Sequence, residues 1–83
     1  MEEIGKVFKY FRKPGVAALK IENGTIEIGD TIYFKGEHTD FKQKINSMEI
    51  EGESVEKVGS GDEVGIKVRQ RVRPNDKILK KND

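Results

Sequence analysis

Apolar and polar residues alternate in short runs along this chain, and turn residues separate the runs. The run 4–11 ends at Pro14-Gly15, and the run 16–21 ends at Asn23-Gly24, a dipeptide typical of tight turns. Alternating apolar positions bounded by Gly, Pro and Asn indicate β-strands. The pattern predicts six strands, at residues 4–11, 16–21, 30–35, 41–50, 64–68 and 77–80.

The fourth predicted strand changes parity along its length. Phe41 and Ile45 occupy one set of alternate positions, whereas Met48 and Ile50 occupy the other. A β-bulge near residue 46 or 47 would let all four side chains face the core, because a bulge inserts one extra residue into a strand. The next apolar positions, in residues 55–58, predict a short extended link.

The same short turn pattern precedes three of the strands, and we call each copy a corner. Gly or Asn tolerates positive φ, the Asp that follows can bond downstream amides, and Ile or Val then enters a strand. Each corner is therefore predicted to be a turn that feeds a strand. The three are Gly29-Asp30-Thr31-Ile32, Gly61-Asp62-Glu63-Val64 and Asn75-Asp76-Lys77-Ile78.

These elements predict an all-β fold with little or no helix. No stretch has apolar residues at spacings of three and four over three turns, as an amphipathic helix requires. Six strands with few core residues favour closure into a small barrel, which removes exposed sheet edges. An open sandwich is the alternative. With 83 residues, the chain is predicted to form a single domain, 1–83.

Composition narrows the class of protein further. Charged residues make up 37% of the chain and there is no Cys, which excludes disulfides and thiolate metal sites. Met1 is followed by two Glu residues, and no long apolar run is present. We therefore expect neither a signal peptide nor a membrane span, and a cytoplasmic location.

The net charge of +1 hides two oppositely charged segments. Residues 49–63 contain six acidic side chains and one basic one, whereas residues 67–81 contain seven basic side chains and one acidic one. The acidic segment is a candidate surface for a basic protein partner, and the basic segment is a candidate surface for phosphates.

In the basic segment, cations recur at every second residue: Lys67, Arg69, Arg71 and Arg73. If the extended conformation continues, all four project from one face, opposite the apolar positions. Arg offers bidentate donors to phosphate, so this face is a predicted nucleic-acid-binding site. The alternative is a solvated face whose cations pair with Glu on a neighbouring strand.

A second predicted nucleic-acid-binding group lies near the N-terminus and consists of Lys9, Arg12 and Lys13. It is interleaved with Tyr10 and Phe11, a combination that single-stranded nucleic acid sites use for backbone contact and base stacking. The alternative places both aromatic rings in the core or at its rim.

Catalytic combinations are missing from the sequence. His38, the single histidine, lies in a polar stretch with no partner at a spacing typical of a nucleophile and base or of a metal site. Glu37 and Asp40 beside it could hold a divalent ion only weakly. No Gly-rich phosphate loop is present. We therefore predict no enzyme activity, no metal and no cofactor.

The corners and the strands between them resemble the second domain of translation elongation factors of the Tu and 1-alpha type. The matching segments are INSMEI at 45–50, ESV at 53–55 and GDEVGIKV at 61–68, with GKV at 5–7, IEIGDTI at 26–32 and NDKIL at 75–79. The resemblance covers nearly the whole chain. It implies a closed six-stranded Greek-key barrel of the translation-protein domain 2 type.

The resemblance has two departures. No GTP-binding domain is present, and Glu51-Gly52 stands where many elongation factors have a His or Arg pair that seats the aminoacyl end of tRNA. The chain is also similar to the barrel at the C-terminus of collagenase-like peptidases, which would make it a detached accessory module.

The resulting prediction is a non-enzymatic, translation-factor-like module that binds RNA or a ribonucleoprotein surface such as the ribosome. The alternative is a protein-interaction adaptor or accessory domain, in which residues 49–63 dock on a GTPase-like or peptidase-like partner.

Overall fold

The computed structural model describes residues 1–81, which form ten β-strands and no helix. The strands are β1 (Glu2–Phe11), β2 (Val16–Ile21), β3 (Thr25–Glu27), β4 (Thr31–Lys35), β5 (Asp40–Lys44), β6 (Met48–Ile50), β7 (Glu53–Ser54), β8 (Lys57–Gly59), β9 (Glu63–Lys67) and β10 (Lys77–Lys80). The last two residues of the predicted domain 1–83 lie outside the described part. Within that part, no helix could span a membrane.

The strands pair antiparallel throughout. Eight of them form one sheet in the order β5-β4-β10-β1-β2-β9-β6-β7, and β3 pairs with β8 in a separate ladder. The long sheet curls into a half-barrel, which confirms the all-β class. The closed six-stranded Greek-key barrel is not confirmed, because no ladder among residues 1–81 joins the end strands β5 and β7.

A side chain bridges part of the gap that the open sheet leaves. Gln43 of β5 donates from Nε2 to the carbonyl of Lys67 at 2.8 Å, and its Oε1 accepts from the amide of Arg69 at 3.0 Å. These two bonds occupy the backbone groups that another strand would otherwise pair with. The amide of Gln43 therefore stands in for one step of a β-ladder.

The interior of the half-barrel is apolar and comes from every strand except the two-residue β7. In β2 the alternation is strict, with Ala17, Leu19 and Ile21 fully buried. The other buried apolar side chains are Ile4, Val7, Ile26, Ile32, Phe34, Phe41, Ile45, Met48, Val58, Val64, Ile66, Val72 and Ile78. Partly buried Tyr10, Ile50, Val55 and Val68 pack against them.

The predicted fourth strand, 41–50, is two strands rather than one bulged strand. β5 ends at Lys44 and β6 begins at Met48, and the two lie near opposite ends of the sheet. Ile45, between them, is fully buried and its backbone bonds to residues 29 and 30 instead of to a strand partner. The break between the strands has the effect predicted for the bulge, because it lets Phe41 and Met48, which have opposite parity in the sequence, both face the core.

The three predicted corners share one geometry. In each, the Asp carboxylate accepts a hydrogen bond from the amide three residues earlier, and the Asp amide donates to the carbonyl of that same residue. Positive φ occurs at the residue before Asp: +99° at Gly29, +93° at Gly61 and +76° at Asn75. In each four-residue turn, φ is positive at the third residue and not at the second, which identifies a type II turn. The carboxylates therefore bond upstream amides, and the predicted downstream bonds are wrong.

Each corner also holds one buried residue from elsewhere in the chain. The amide of the positive-φ residue donates to the carbonyl of the buried residue, and the amide of the buried residue donates to the Asp carbonyl, all at 2.8 to 2.9 Å. The buried residues are Ile45 for the corner at Asp30, Ile21 for the corner at Asp62 and Val7 for the corner at Asp76.

The surroundings of the corner at Asp30 lower the pKa of its carboxylate. Burial raises the pKa of Asp30, but the hydrogen bond from the Glu27 amide and the charge of Lys80, 2.9 Å away, outweigh it and leave the pKa below its ordinary value. The charge of Lys57 acts in the same direction. The ionised form of Asp30 is therefore favoured by folding.

The corner at Asp76 yields a stability prediction. Asp76 is buried, and its carboxylate accepts from the Arg73 amide at 2.8 Å in a space left by Gly36, where a Cβ would overlap it. We expect Asp76→Ala to lower the free energy of unfolding by about 1–3 kcal/mol, because it leaves that amide unsatisfied. Urea unfolding measures the loss. Asp76→Asn, which keeps an acceptor oxygen, should lose less, and equal losses would show that the hydrogen bond is unimportant.

The corner at Asp30 yields a pH prediction. Because folding lowers the pKa of Asp30, its contribution to stability is complete above the unfolded pKa of about 3.9 and is lost as the pH falls through the folded pKa. Urea unfolding between pH 6 and pH 2 should therefore show a shallower decline for Asp30→Asn than for the wild type. Lys80→Met should reduce the decline in part. A decline of unchanged steepness in Asp30→Asn would contradict the prediction.

Candidate functional site: an aromatic groove and a basic seam

The predicted stripe of four cations does not follow one strand. β9 ends at Lys67, and no strand includes residues 68–76, so the condition for a shared face fails beyond the first cation. Val72 turns into the core within this segment, while Arg71 and Arg73 remain exposed. The alternation in the sequence therefore does not translate into a straight row of charges.

One of the four cations has a role in the fold. The guanidinium of Arg69 donates from Nη2 to the carbonyl of Lys42 at 2.8 Å and lies 5.7 Å from the centre of the Phe41 ring. With the Gln43 bonds, these contacts fasten the segment after β9 to β5. The side chain of Arg69 thus helps to hold β5 in place, although it remains exposed.

The second basic group lies in and beside the turn between β1 and β2. The ammonium of Lys9 sits 5.0 Å from the centre of the Phe11 ring, and Arg12 and Lys13 are exposed in the turn. The carbonyl of Gly15 accepts from the amide of Val68 at 2.9 Å, so the backbones of the two basic segments meet. Their use as a binding site stays a prediction.

A basic seam runs between β5 and the segment after β9. It is a groove of about 660 Å³ whose lining includes four cations, Lys42, Lys44, Lys67 and Arg69. Two of them were predicted to be site residues. Lys42 and Lys44 were not, because the sequence places them about 25 residues away and only the curl of the sheet brings them together.

An aromatic groove crosses the outer face of the sheet over β1, β2, β9 and β6. Its volume is about 620 Å³. Ala18 and Gly65, which are register partners in β2 and β9, lie side by side in it. The other lining residues are Phe8, Phe11, Glu49, Ile50, Glu51, Gly52, Gly61, Asp62, Glu63 and Val64.

A bulge in β1 puts the two Phe rings on this face. Val7 pairs with Leu19 and Lys9 with Ala18, so Phe8 is an extra residue without a partner. The insertion reverses the parity of the strand. Tyr10 therefore packs at the core, as the alternative to base stacking predicted. Phe11, which would have followed Val7 inward, turns out and is 42% exposed. Phe8 lines the groove and was not among the site residues predicted from the sequence.

A strained turn forms one wall of the groove. Glu51 and Gly52 connect β6 to β7 with φ of +50° and +81°, and their neighbours Ile50 and Glu53 are paired. Two consecutive positive φ values define a type I′ hairpin, which prefers Asn-Gly. A Glu in the left-handed region is uncommon, and such strain concentrates at functional sites.

His38 lines a shallow pocket together with Glu37, Arg73 and Asp76. The side chain is exposed, and no three His, Asp or Glu side chains within residues 1–81 are placed to share a metal ion. Asp40, its neighbour in sequence, instead bonds Lys35 at 2.7 Å.

No family model matches the chain. It is 40% identical over 78 residues to a collagenase of Porphyromonas gingivalis, which covers 93% of this chain and 22% of the collagenase. It is 34% identical over 77 residues to an uncharacterized protease of Methanocaldococcus jannaschii, with coverages of 92% and 19%. The chain thus spans about a fifth of the length of these relatives.

Solved structures agree with the sequence relatives. The C-terminal domain of a protein assigned to the U32 peptidases in Geobacillus thermoleovorans superimposes with a TM-score of 0.89 at 26% identity, over 98% of this chain and 93% of that domain. Its selenomethionine variant gives 0.90 at 26% identity, over 96% of this chain and all of the domain.

These relatives correct the predicted function. The prediction of a translation-factor-like module that binds RNA or the ribosome is wrong, because the matches are peptidases and a peptidase domain. The resemblance to elongation factors rested on corner and core residues, which specify turns and burial and carry no information about a ligand. The second resemblance is the one confirmed: in sequence and in fold, the chain is similar to the C-terminal domain of collagenase-like U32 peptidases.

Proposed function

We propose that this chain is a non-catalytic accessory module of the U32 peptidase type, which acts by binding the catalytic part of a peptidase. The catalytic part would be either a separate subunit or another region of one polypeptide. The chain as a whole, residues 1–83, would be a single such module.

The observation that carries this proposal is the uneven coverage of the matches. A collagenase and a protease match over more than nine tenths of this chain but only about a fifth of their own length. The matching solved domain comes from the C-terminal end of its protein. Four fifths of each relative therefore lies outside the matched region and can hold the catalytic residues.

The surface of the chain supports a role in binding proteins. Among residues 1–81, four large apolar side chains are exposed, and two of them, Phe8 and Phe11, line the same groove. Acidic residues 49, 51, 62 and 63 line the same groove, and all four belong to the segment 49–63, the protein-docking surface of the alternative prediction. Aromatic side chains framed by polar ones are typical of protein interfaces.

A chimera tests the proposal. The 78-residue matched segment of the P. gingivalis collagenase would be replaced by this chain, and gelatin hydrolysis compared among the native collagenase, the chimera and a deletion of the segment. If the chain is an accessory module, we expect the chimera to hydrolyse gelatin at least about tenfold faster than the deletion, a difference of about 1.4 kcal/mol in the barrier.

Two results would contradict it. A chimera that folds, judged by circular dichroism, but is as inactive as the deletion would remove the accessory role. Hydrolysis of gelatin by this chain alone would show that the module is itself catalytic.

A further inference from the structure

The aromatic groove has a charge that differs from the rest of the molecule. Its lining contains four acidic residues and, within the described part of the chain, no Lys or Arg. The whole chain has 16 Lys and Arg residues against 15 acidic ones. Two cations lie at its edge: the Lys9 ammonium is 5.0 Å from the centre of the Phe11 ring, and the Lys20 ammonium is 3.6 Å from the Glu63 carboxylate. Four carboxylates against these two ammonium groups leave an excess of negative charge, so the electrostatic potential of the groove favours a cationic occupant.

Two of the four carboxylates are free to meet such an occupant. The Asp62 carboxylate accepts from the Gly59 amide at 2.8 Å, and the Glu63 carboxylate lies 3.6 Å from the ammonium of Lys20. Glu49 and Glu51 are exposed and form no ion pair with any residue from 1 to 81. They lie on β6 and its hairpin turn, on the side of the groove away from β1.

The centre of the groove is apolar and shallow. Phe8 is 48% exposed and Phe11 42% exposed, whereas Ala18 and Gly65 have little or no side chain to fill the space beside them. A Cβ on Gly65 would meet its nearest atom, in Val16, at 3.5 Å, so the surface is open there without strain. Lys9 already contacts the Phe11 ring, but an aliphatic side chain from another molecule could cover the parts of both rings that remain exposed, and the removal of this apolar surface from water is favourable.

We propose that the aromatic groove binds a basic, extended segment of the partner peptidase. An aliphatic side chain of the segment packs against Phe8 and Phe11, and Lys or Arg side chains on either side of it pair with Glu49 and Glu51. This inference rests on the proposed function for the partner being a protein, and it adds the surface and the chemistry of recognition.

The strain at Glu51 fits this assignment. Asn would adopt the same backbone conformation at this turn position at lower conformational cost, but it would remove one carboxylate from the groove. A carboxylate kept in an unfavourable backbone conformation at the edge of an exposed apolar groove is explained if it contacts the ligand.

Peptide binding to the full chain tests the inference. The probe is a fluorescent nine-residue peptide that alternates lysine and leucine, and two matched peptides replace lysine by glutamate or leucine by serine. By fluorescence anisotropy, we expect each matched peptide to bind at least about tenfold more weakly than the lysine–leucine peptide, since each loses one of the two contacts. Equal affinity for the lysine and glutamate peptides, or no binding at about 1 mM, would overturn the inference.

Variants assign the binding to the groove. The double variant Phe8→Ala, Phe11→Ala should bind the lysine–leucine peptide at least about tenfold more weakly, whereas Ile28→Ala, which truncates an apolar side chain of similar exposure outside the groove, should change the affinity by less than about twofold. Unchanged affinity in the double variant would overturn the inference.

A third variant separates binding from folding. Glu51→Asn should raise the melting temperature by roughly 3 °C and still weaken the peptide about threefold, a combination that a destabilised protein does not give. Failure of the variant to weaken binding would remove Glu51 from the site. Size-exclusion chromatography tests whether the groove instead binds a second copy of this chain. A dimer that the Phe8→Ala, Phe11→Ala variant abolishes would show that it does and would overturn the inference.

The peptide and chimera experiments fail independently. A chimera that remains active with both Phe residues replaced would reject the groove and keep the accessory role. An inactive chimera would reject the accessory role whatever the peptides do.

Discussion

The fold depends on one hydrogen-bonded corner, used three times. An Asp carboxylate closes a type II turn, and the turn then holds the amide and carbonyl of a buried residue: Ile45, Ile21 or Val7. A small half-barrel has many strand ends, and each end leaves backbone groups that must be satisfied inside a thin core. The corner satisfies them at the points where the chain changes direction. It also explains why an Asp follows the positive-φ residue each time, since no apolar residue could accept the upstream amide.

The corners also determine where the surface sites lie. The corner at Gly61-Asp62 is tied to β2 through Ile21, and it starts β9 in the register that places Gly65 opposite Ala18. That pair opens the surface between Phe8 and Ile50. At the other side of the sheet, Gln43 and Arg69 fasten β5 to the segment after β9 and create the basic seam. The molecule thus has two grooves of opposite charge, both produced by the way that the sheet is bent and fastened.

Much of the fold could be predicted from the sequence because its signals are local. β2 and β10 occur at the predicted residues, and all three corners are turns, since Gly, Asn and Asp act within four residues. The β3–β8 ladder was missed because three-residue strands are too short to show alternation. The groove was missed for another reason. Phe11 is turned outward by one extra residue at Phe8, and a bulge is visible only once Val7 and Lys9 have found their partners in β2.

The same distinction explains why one family resemblance misled and the other did not. Corner residues such as Gly61-Asp62 are dictated by backbone geometry, so barrels with unrelated ligands share them, and they cannot separate a translation factor from a peptidase domain. Side chains that the fold does not need are more informative about ligands. Phe8 and Phe11 expose apolar surface to water, and Glu51 occupies a backbone conformation that is unfavourable for its residue type. All three line one groove, and this convergence, rather than the shared corners, is the reason to look for a partner there.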